Sequence, residues 1–364
     1  MYLRILAIAA SLATAVLPSV APGQPRQVGE GTQPRLATGA AGEVFVTFAK
    51  RETVMVAASI DDGQTFATPT VVATITGLPL GMRRGPRIAA CSGTVVISAI
   101  ESARGGGKDG DLFAWVSADA GKAWTKSAKP LNSVAAAARE GLHDMGSDGK
   151  GLVAVVWLDM RKVNKEGGGT EVWVATSADG GKTWGEDRLA YVNSGGTVCE
   201  CCNPSITFGP KGEMFVMFRN ALNGSRNMYL TASSDGGKTW SPATKLGEGT
   251  WMLNACPMDG GTVTASAGKP VTVWRRAGSI YLSEPSKDER LIGEGIQPVV
   301  EFAKSGPVVV WQEGSTLVQW RPDTGPAKTL AEKGQYPVLT PTKRGQVLAA
   351  WEASGTIMTQ LIGD

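Results

Sequence analysis

A short phrase that occurs four times along the chain constrains the fold more than any other feature. The phrase reads S-x-D-x-G-x-[TA]-[WF], and its copies begin at Ser59, Ser117, Ser177 and Ser233. A unit that returns about every 60 residues indicates a repeat architecture. Within each copy the Asp can accept hydrogen bonds from nearby backbone N–H groups, the Gly allows a positive φ, and the aromatic side chain anchors the turn. The phrase therefore predicts one tight β-turn in each repeat.

Each repeat opens upstream of the phrase with a short strand, often after an Xaa-Pro step. A Gly-led apolar strand follows the opening, a third strand leads to the phrase, and the phrase turns the chain into a fourth strand. Such openings also occur beyond the four phrases. The seven openings lie at Gln33-Pro34, Gly85-Pro86, Gly141-Leu142, Asn203-Pro204, Cys256-Pro257, Gln297-Pro298 and Tyr336-Pro337. Seven units of four antiparallel strands predict an all-β fold, a seven-bladed β-propeller.

The last repeat stops after its third strand, at residues 356–362. We expect residues 26–29 to supply the missing fourth strand, because pairing these two segments closes the ring and removes the exposed edges of an open sheet. The phrase has decayed in the fifth and sixth repeats, where Ser283 and the Asp323 to Gly325 segment are its remnants.

The repeated phrase resembles the Asp-box, or BNR repeat, of sialidases and related β-propellers. Sialidases have six blades, so a six-bladed ring with one late repeat as a cap is the alternative to seven. In a propeller, the link between the third and fourth strands lies on the face opposite the openings of the first strands. The boxes are therefore predicted to be structural. Their carboxylates are Asp61, Asp119, Asp179 and Asp235.

Residues 1–23 predict a secretory signal peptide, with Arg4 as the positive start, an apolar run over residues 5–20 and a small-residue end. The run is short for a membrane span. We therefore expect residues 24–364 to form a single domain, exported to the periplasm or the extracellular space and monomeric. The formal net charge of +3 over 364 residues gives no support to nucleic-acid binding.

The face that carries the openings of the first strands is where a ligand is expected, since loop ends on one side of a rigid scaffold usually hold the chemistry. Several arginines beside carboxylates at this mouth indicate a glycan or another anionic small ligand. Sialidases hold the substrate carboxylate with three arginines, and use a Tyr–Glu pair as nucleophile and an Asp as acid/base. The resemblance places Arg35, Arg87, Arg219 and Arg276 in substrate binding, and Tyr336, Asp144 and Glu352 in catalysis.

The chain also departs from the sialidase pattern. Pro337 follows Tyr336 where the family has small residues, and no Glu is plainly assigned to activate that Tyr, for which the topology offers Glu313 and Glu352 as candidates. Three functions therefore stay open: an exo-glycosidase of sialidase type acting on anionic glycans, a propeller that binds a glycan or a protein without turnover, and a soft-metal protein.

A cluster of cysteines is the feature that a propeller does not require. Cys199, Cys201 and Cys202 precede the fourth opening, and Cys256 lies at the fifth, so the four thiols should meet on one face. A disulfide from Cys256 to the run suits an exported protein and could join two blades. The alternative is a copper or zinc site, because thiolates select soft metals. Met258 and the single histidine, His143, lie on the same rim, which adds to the copper case.

Two further side chains have less specific interpretations. His143 could act as a base, but a hydrogen-bonded loop residue is the simpler expectation, and no G-x-S-x-G nucleophile motif accompanies it. Cys91 falls in the first strand of the second repeat and is expected to be a buried free thiol.

Overall fold

The seven predicted repeats form seven small antiparallel sheets arranged as the blades of a β-propeller. The computed structural model describes residues 23–105, 108–163, 168–285 and 287–363, and every regular element within them is a strand. Apart from Gly23, the predicted signal peptide lies outside these residues. None of the described residues forms a helix long and apolar enough to span a membrane.

The strands follow one another outward from the central axis in each blade. Blade 1 contains β2 (Thr32–Thr38), β3 (Val44–Lys50), β4 (Thr53–Ser59) and β5 (Thr70–Thr74). Blade 2 contains β6 (Arg87–Cys91), β7 (Thr94–Glu101), β8 (Asp111–Ser117) and β9 (Thr125–Lys126). Blade 3 contains β10 (His143–Ser147), β11 (Val153–Asp159), β12 (Glu171–Ser177) and β13 (Arg188–Tyr191).

The later blades repeat this order with two variations. Blade 4 contains β14 (Gly196–Val198), β15 (Ser205–Phe208), β16 (Met214–Leu222), β17 (Met228–Ser233) and β18 (Thr244–Lys245). Blade 5 contains β19 (Thr262–Ser266), β20 (Lys269–Arg276), β21 (Ser279–Ser283) and β22 (Arg290–Glu294). Blade 6 contains β23 (Ile296–Ala303), β24 (Gly306–Glu313), β25 (Thr316–Trp320) and β26 (Lys328–Ala331). Blade 7 contains β27 (Gln335–Pro341), β28 (Val347–Ala353), β29 (Thr356–Ile362) and β1 (Arg26–Glu30).

The last blade closes the ring in the way that the sequence predicts. β1 pairs antiparallel with β29, with Arg26 opposite Thr359 and Glu30 opposite Thr356. Val28 packs against the apolar cluster that includes Phe48 and Ile357. The prediction of seven blades is confirmed, and the six-bladed alternative is wrong because all seven openings lead into sheets of their own.

The apolar core lies between adjacent blades. The second strands are the most apolar, and they bury large side chains such as Trp157, Trp311 and Trp351 almost completely. These strands alternate their side chains between the two neighbouring blades, so a continuous apolar run is buried on both faces. The ring is therefore stabilised by blade-to-blade packing, and the first strands are left around a central channel.

The four Asp-boxes form one hydrogen-bonded turn each, on the face opposite the first-strand openings. In blade 3 the Ser177 hydroxyl donates to Asp179 Oδ1 (2.7 Å) and accepts from the backbone N–H of Gly181 (2.8 Å). Asp179 also accepts from the backbone N–H and the hydroxyl of Thr183. The turn rests on blade 2, where Thr94 Oγ1 donates to Gly180 O (2.9 Å). These contacts close the turn and join it to blade 2.

We expect Ser177→Ala to lower the free energy of unfolding by about 1–3 kcal/mol, because it leaves the buried N–H of Gly181 without an acceptor. Ser283 is the matched control, since it occupies the same place in blade 5, where the rest of the box has been lost. Ser283→Ala should change stability by less than about 0.5 kcal/mol. Urea unfolding measures the free energy of unfolding of both variants. Equal losses of stability in Ser177→Ala and Ser283→Ala would contradict a specific role for the box.

Candidate functional site

The first strands of all seven blades line one central cavity of about 260 Å³. Antiparallel topology brings the starts of these strands to one face, which forms the mouth of the channel. Several openings share a backbone feature: the residue before the proline has a positive φ in Gln33 (56°), Gln297 (54°) and Tyr336 (53°). The register shifts at the same places, so the bulge turns the chain sharply from the mouth into the channel.

Arg35 is the guanidinium at the mouth with the fewest protein partners. It lines the cavity, and within the described part of the chain its one hydrogen bond runs from Nη1 to Pro34 O at 3.3 Å. Enclosure lowers the pKa of Arg35, and the nearby Asp144 carboxylate opposes that shift. The side chain keeps N–H donors that can bind an anion entering the channel.

Arg87 is held in place by its own loop. The side chain is 1% exposed, and its guanidinium donates to the carbonyl oxygens of residues 83–86. An ion pair of 3.5 Å joins Arg87 Nε to Asp144 Oδ1. Burial lowers the pKa of Arg87 well below its usual value, and the positive charge of Arg35 adds to the shift. Arg87 therefore organises the mouth and positions Asp144.

A third arginine, Arg83, was missed at the sequence level. It belongs to the link from blade 1 to blade 2, whereas the predicted substrate-binding and catalytic residues lie in strands. Its Nη2 reaches across to blades 6 and 7, donating to Gln297 O (2.7 Å) and Pro337 O (3.4 Å). Burial, and then the charge of Arg35, lower its pKa to about 10. The run of arginines at 83, 84 and 87 was the signal that could have revealed it.

We call Arg35, Arg83 and Arg87 the arginine cluster. Asp144 faces the cluster, and it accepts a hydrogen bond from the backbone N–H of Ile206 in blade 4 (3.1 Å). Tyr336 opens blade 7 and lies within electrostatic reach of Arg83. The mouth thus brings together two of the predicted substrate-binding arginines, the predicted acid/base Asp and the predicted nucleophilic Tyr.

Buried polar atoms without protein partners surround the same mouth. Both amide atoms of Gln33, which is 2% exposed, have no hydrogen-bond partner among the residues that the structure describes. Oδ1 of Asp259 has none either, although its Oδ2 accepts from the N–H of Gln297 (2.9 Å) and lies 3.6 Å from Arg275 Nε. Buried polar groups in native proteins are normally paired, so these atoms are available to bind a polar ligand or water at the mouth.

The other predicted site residues lie away from the cavity wall. Glu352 accepts hydrogen bonds from the Thr32 hydroxyl and from Gln335 Nε2, which occupies both of its oxygens. Arg219 donates to three carbonyl oxygens, those of Asp259, Arg226 and Arg275. Arg276 forms a two-bond ion pair with Glu289 at the outer side of blade 5. Their contacts stabilise the blades around the mouth.

Glu301 is a second ionisable group that the sequence did not indicate. It lines the channel from β23, and burial raises its pKa to about 7. Its Oε1 accepts from the Thr264 hydroxyl and from the backbone N–H of Phe302, each at 2.9 Å. A carboxyl group in this state can hold a proton near neutral pH.

The cysteine run forms a short loop between β14 and β15, the two inner strands of blade 4. Cys201 and Cys256 form a disulfide with a Cα–Cα distance of 6.3 Å, so the predicted bridge from Cys256 to the run is present. Cys199 and Cys202 are buried free thiols with their sulfurs 3.2 Å apart. A metal site would draw on Cys199, Cys201 and Cys202, whose sulfurs lie within 4.8 Å of one another, once Cys201 is released from the disulfide.

His143 and Cys91 match the simpler expectations. His143 is fully buried between blades 2 and 3, where its ring lies 3.1 Å from the hydroxyl of Ser98 and 3.4 Å from Gly141 O. Burial lowers its pKa well below the usual range, so the imidazole is neutral. These contacts take up both ring nitrogens and give it no place in the cysteine loop. Cys91 is a buried free thiol.

Comparison with known proteins agrees with the observed fold. Residues 147–248, which hold two of the boxes, match a family model described as a BNR repeat-like domain. No curated protein sequence matches the chain significantly.

Among solved structures, an α-L-arabinanase of Penicillium chrysogenum in complex with arabinobiose aligns over 93% of this chain and 97% of its own, with a TM-score of 0.52 and 14% identity. A sialidase of Streptococcus pneumoniae aligns over 95% of this chain and 71% of its own, with a TM-score of 0.53 and 12% identity. A protein of unknown function from Dyadobacter fermentans gives a TM-score of 0.51 at 16% identity, over 95% of this chain and 99% of its own. Identities this low support the shared propeller fold alone.

Proposed function

We propose that the protein is an exported glycoside hydrolase of the sialidase type, which binds an anionic saccharide at the mouth of the channel. The observation that carries the proposal is the arginine cluster, in which Arg35 keeps donors free beside the orphaned amide of Gln33. Arg35 would hold the acidic group of the sugar, while Arg83 and Arg87 supply positive charge from fixed positions. The arabinobiose named with the arabinanase of the same fold supports a sugar as the ligand class.

In this proposal Asp144 and Tyr336 act at the glycosidic bond. Asp144 is oriented by Arg87 and by the N–H of Ile206, so its carboxylate is aimed into the cavity. Tyr336 would attack the anomeric carbon from blade 7, as Tyr nucleophiles do in sialidases. Glu301 offers a proton deeper in the channel.

Binding without turnover is the second candidate, and the position of Glu352 favours it. Both carboxylate oxygens of Glu352 accept hydrogen bonds from Thr32 and Gln335, so this Glu is engaged elsewhere than at Tyr336. The other candidate, Glu313, accepts a hydrogen bond from Trp311 Nε1 (2.9 Å). A tyrosine without a base to take its proton is a weak nucleophile. The test must therefore measure binding and hydrolysis separately.

Calorimetric titration tests the binding step. The affinity for sialic acid is compared with the affinity for arabinobiose, which is a neutral sugar. We expect Arg35→Gln to weaken binding of the acidic sugar by about 10- to 100-fold, the usual worth of a hydrogen bond to a charged group. Arg290→Gln is the control, because Arg290 is exposed on the outer strand of blade 5. Equal affinity of the wild type and Arg35→Gln, or binding of the neutral sugar alone, would refute the proposed mode.

Hydrolysis of a 4-methylumbelliferyl sialoside tests the catalytic step. Asp144→Asn and Tyr336→Phe should each lower kcat by about 100-fold or more while sialic acid still binds. Binding without any release of the fluorophore by the wild type would select the non-catalytic candidate.

A further inference from the structure

The four clustered cysteines hold one disulfide and two thiols in an arrangement that a structural bridge does not need. Cys256 is exposed and Cys201 is half-buried, so the disulfide lies at the surface. Directly behind it, Cys199 and Cys202 are 3% and 0% exposed. The sulfur of Cys199 lies 3.6 Å from the sulfur of Cys201, close to van der Waals contact with the bridge.

We propose that this cluster is an internal thiol–disulfide exchange site, in which the disulfide moves between the surface pair Cys201–Cys256 and the buried pair Cys199–Cys202. In the exchanged state Cys256 is a free surface thiol, available to attack a disulfide of another molecule. The exchange needs no external oxidant, since the existing disulfide supplies the oxidising equivalent.

The exchange runs in two balanced steps. The thiolate of Cys199 attacks the sulfur of Cys201, a Cys199–Cys201 bond forms, the Cys201–Cys256 bond breaks, and Cys256 leaves as a thiolate. Cys202 then attacks Cys199, a Cys199–Cys202 bond forms, and Cys201 leaves. One disulfide and two thiols are present throughout, and the protons lost by the attacking thiols are taken up by Cys201 and Cys256.

The surroundings of Cys199 suit it to start the exchange. A hydrogen bond from the Cys202 thiol lowers the pKa of Cys199, and the charges of Arg219 and Arg226 act in the same direction. Burial raises the pKa of Cys202, which stays protonated and donates. A thiol that is partly ionised near neutral pH attacks a disulfide most effectively.

The second step has a favourable geometry as well. Cys199 and Cys202 form a C-x-x-C pair closed by a turn, in which the N–H of Cys202 donates to Cys199 O (3.3 Å). Their sulfurs, 3.2 Å apart, need only a small rotation to reach bonding distance. The loop lies between β14 and β15, so this movement does not require either strand to separate from β16.

Trapping of Cys256 in the native protein tests the proposal. Excess maleimide is added to the folded full chain, samples are quenched in acid over several hours, and tryptic peptides are analysed without reduction. Cys199, Cys201 and Cys202 fall in the peptide 189–211 and Cys256 in the peptide 246–275, so a Cys201–Cys256 bridge joins the two. The expected result is a separate 246–275 peptide with maleimide on Cys256, and a 189–211 peptide with an internal Cys199–Cys202 disulfide.

The variants separate the steps. Cys199→Ser should slow the labelling of Cys256 by about tenfold or more, because it removes the attacking thiolate. Cys202→Ser should still allow labelling, but with the internal disulfide at Cys199–Cys201. Cys91→Ser, in blade 2, is the control and should label like the wild type.

Two results would overturn the exchange. One is a Cys256 that stays linked to the 189–211 peptide throughout the incubation at about pH 7.5, which would make the bridge a fixed staple. The other is labelling of Cys256 at the same rate in Cys199→Ser as in the wild type. Circular dichroism of Cys199→Ser and Cys202→Ser, compared with the wild type, excludes unfolding as the cause of any difference.

Discussion

A chain that begins at Gly31, and so lacks β1, is expected to unfold at a temperature about 6 °C below that of a chain that begins at Gln24. β1 is the outer strand of blade 7, and its removal eliminates the hydrogen bonds to β29 and the packing of Val28. At about 1 kcal/mol for each hydrogen bond, with the lost apolar contact added, the loss is on the order of 4 kcal/mol.

The same deletion exposes β29 as an unpaired edge. Size-exclusion chromatography should therefore show self-association, because free strand edges pair between molecules. A variant that carries the sequence of residues 24–30 behind the final residue on a flexible linker is the control, and it should recover most of the lost stability. Unchanged thermal unfolding in the shortened chain would mean that blade 7 holds the ring closed without its fourth strand.

Glu301→Gln is expected to stabilise the fold above about pH 7, by about 2 kcal/mol. The pKa of this carboxyl rises from 4.5 to about 7 on burial in the channel. Below about pH 4.5 the group is protonated in both states. Between about pH 4.5 and about pH 7 the carboxyl of Glu301 ionises in the unfolded chain but not in the folded one, which lowers the stability of the fold. Above about pH 7 it is ionised in both states, and the loss of stability is complete. The pKa shift of Glu301 alone would correspond to a destabilisation of more than about 2 kcal/mol, but the channel is open to solvent, which screens the charge.

Urea unfolding measured from about pH 4 to about pH 8 checks this prediction. The stabilities of the wild type and Glu301→Gln should coincide at the acid end and diverge as the pH rises. The glutamine keeps an oxygen that can accept from Thr264 and Phe302, so the hydrogen bonds of Glu301 are preserved. Glu332→Gln, at an exposed position before blade 7, should show no such divergence. A constant difference across the pH range would contradict ionisation of Glu301 as the cause.

The sequence predicts the architecture well because the same local patterns, the box and the Xaa-Pro opening, recur in successive repeats and indicate the same blade structure. Each box fixes one turn through contacts within seven or eight residues, and each Xaa-Pro opening marks the start of a first strand. Even the pairing of β1 with β29 follows, since a ring with one strand missing has one place for a spare strand. The decayed boxes do not obscure the count, because the openings at Gln297 and Tyr336 persist.

The site is less predictable because its contacts cross the channel. Arg83 bonds to residues more than 200 positions away, and no local pattern shows that an arginine in an ordinary link reaches blade 6. The raised pKa of Glu301 likewise depends on enclosure by other blades. Conversely, Arg219 and Arg276 occupy the predicted face, but nearby carbonyls and Glu289 engage their guanidinium groups. The position of a residue in the topology predicts the face on which it lies, but its hydrogen-bond and ion-pair partners determine whether its side chain is available to a ligand.

The pairing of β1 with β29 also orders events during synthesis on the ribosome. The amino-terminal strand is made first, but its partner is made last, with Arg26 and Thr359 separated by 333 positions. At about 5–20 residues per second, that strand waits without its neighbour for tens of seconds. Blades 1 to 4 can form during this time. The box of blade 3 contacts blade 2, which precedes it. The box of blade 1 contacts blade 7, which has not yet been made. Ring closure is therefore a late step in folding, since β1 has no strand to pair with until β29 has been made.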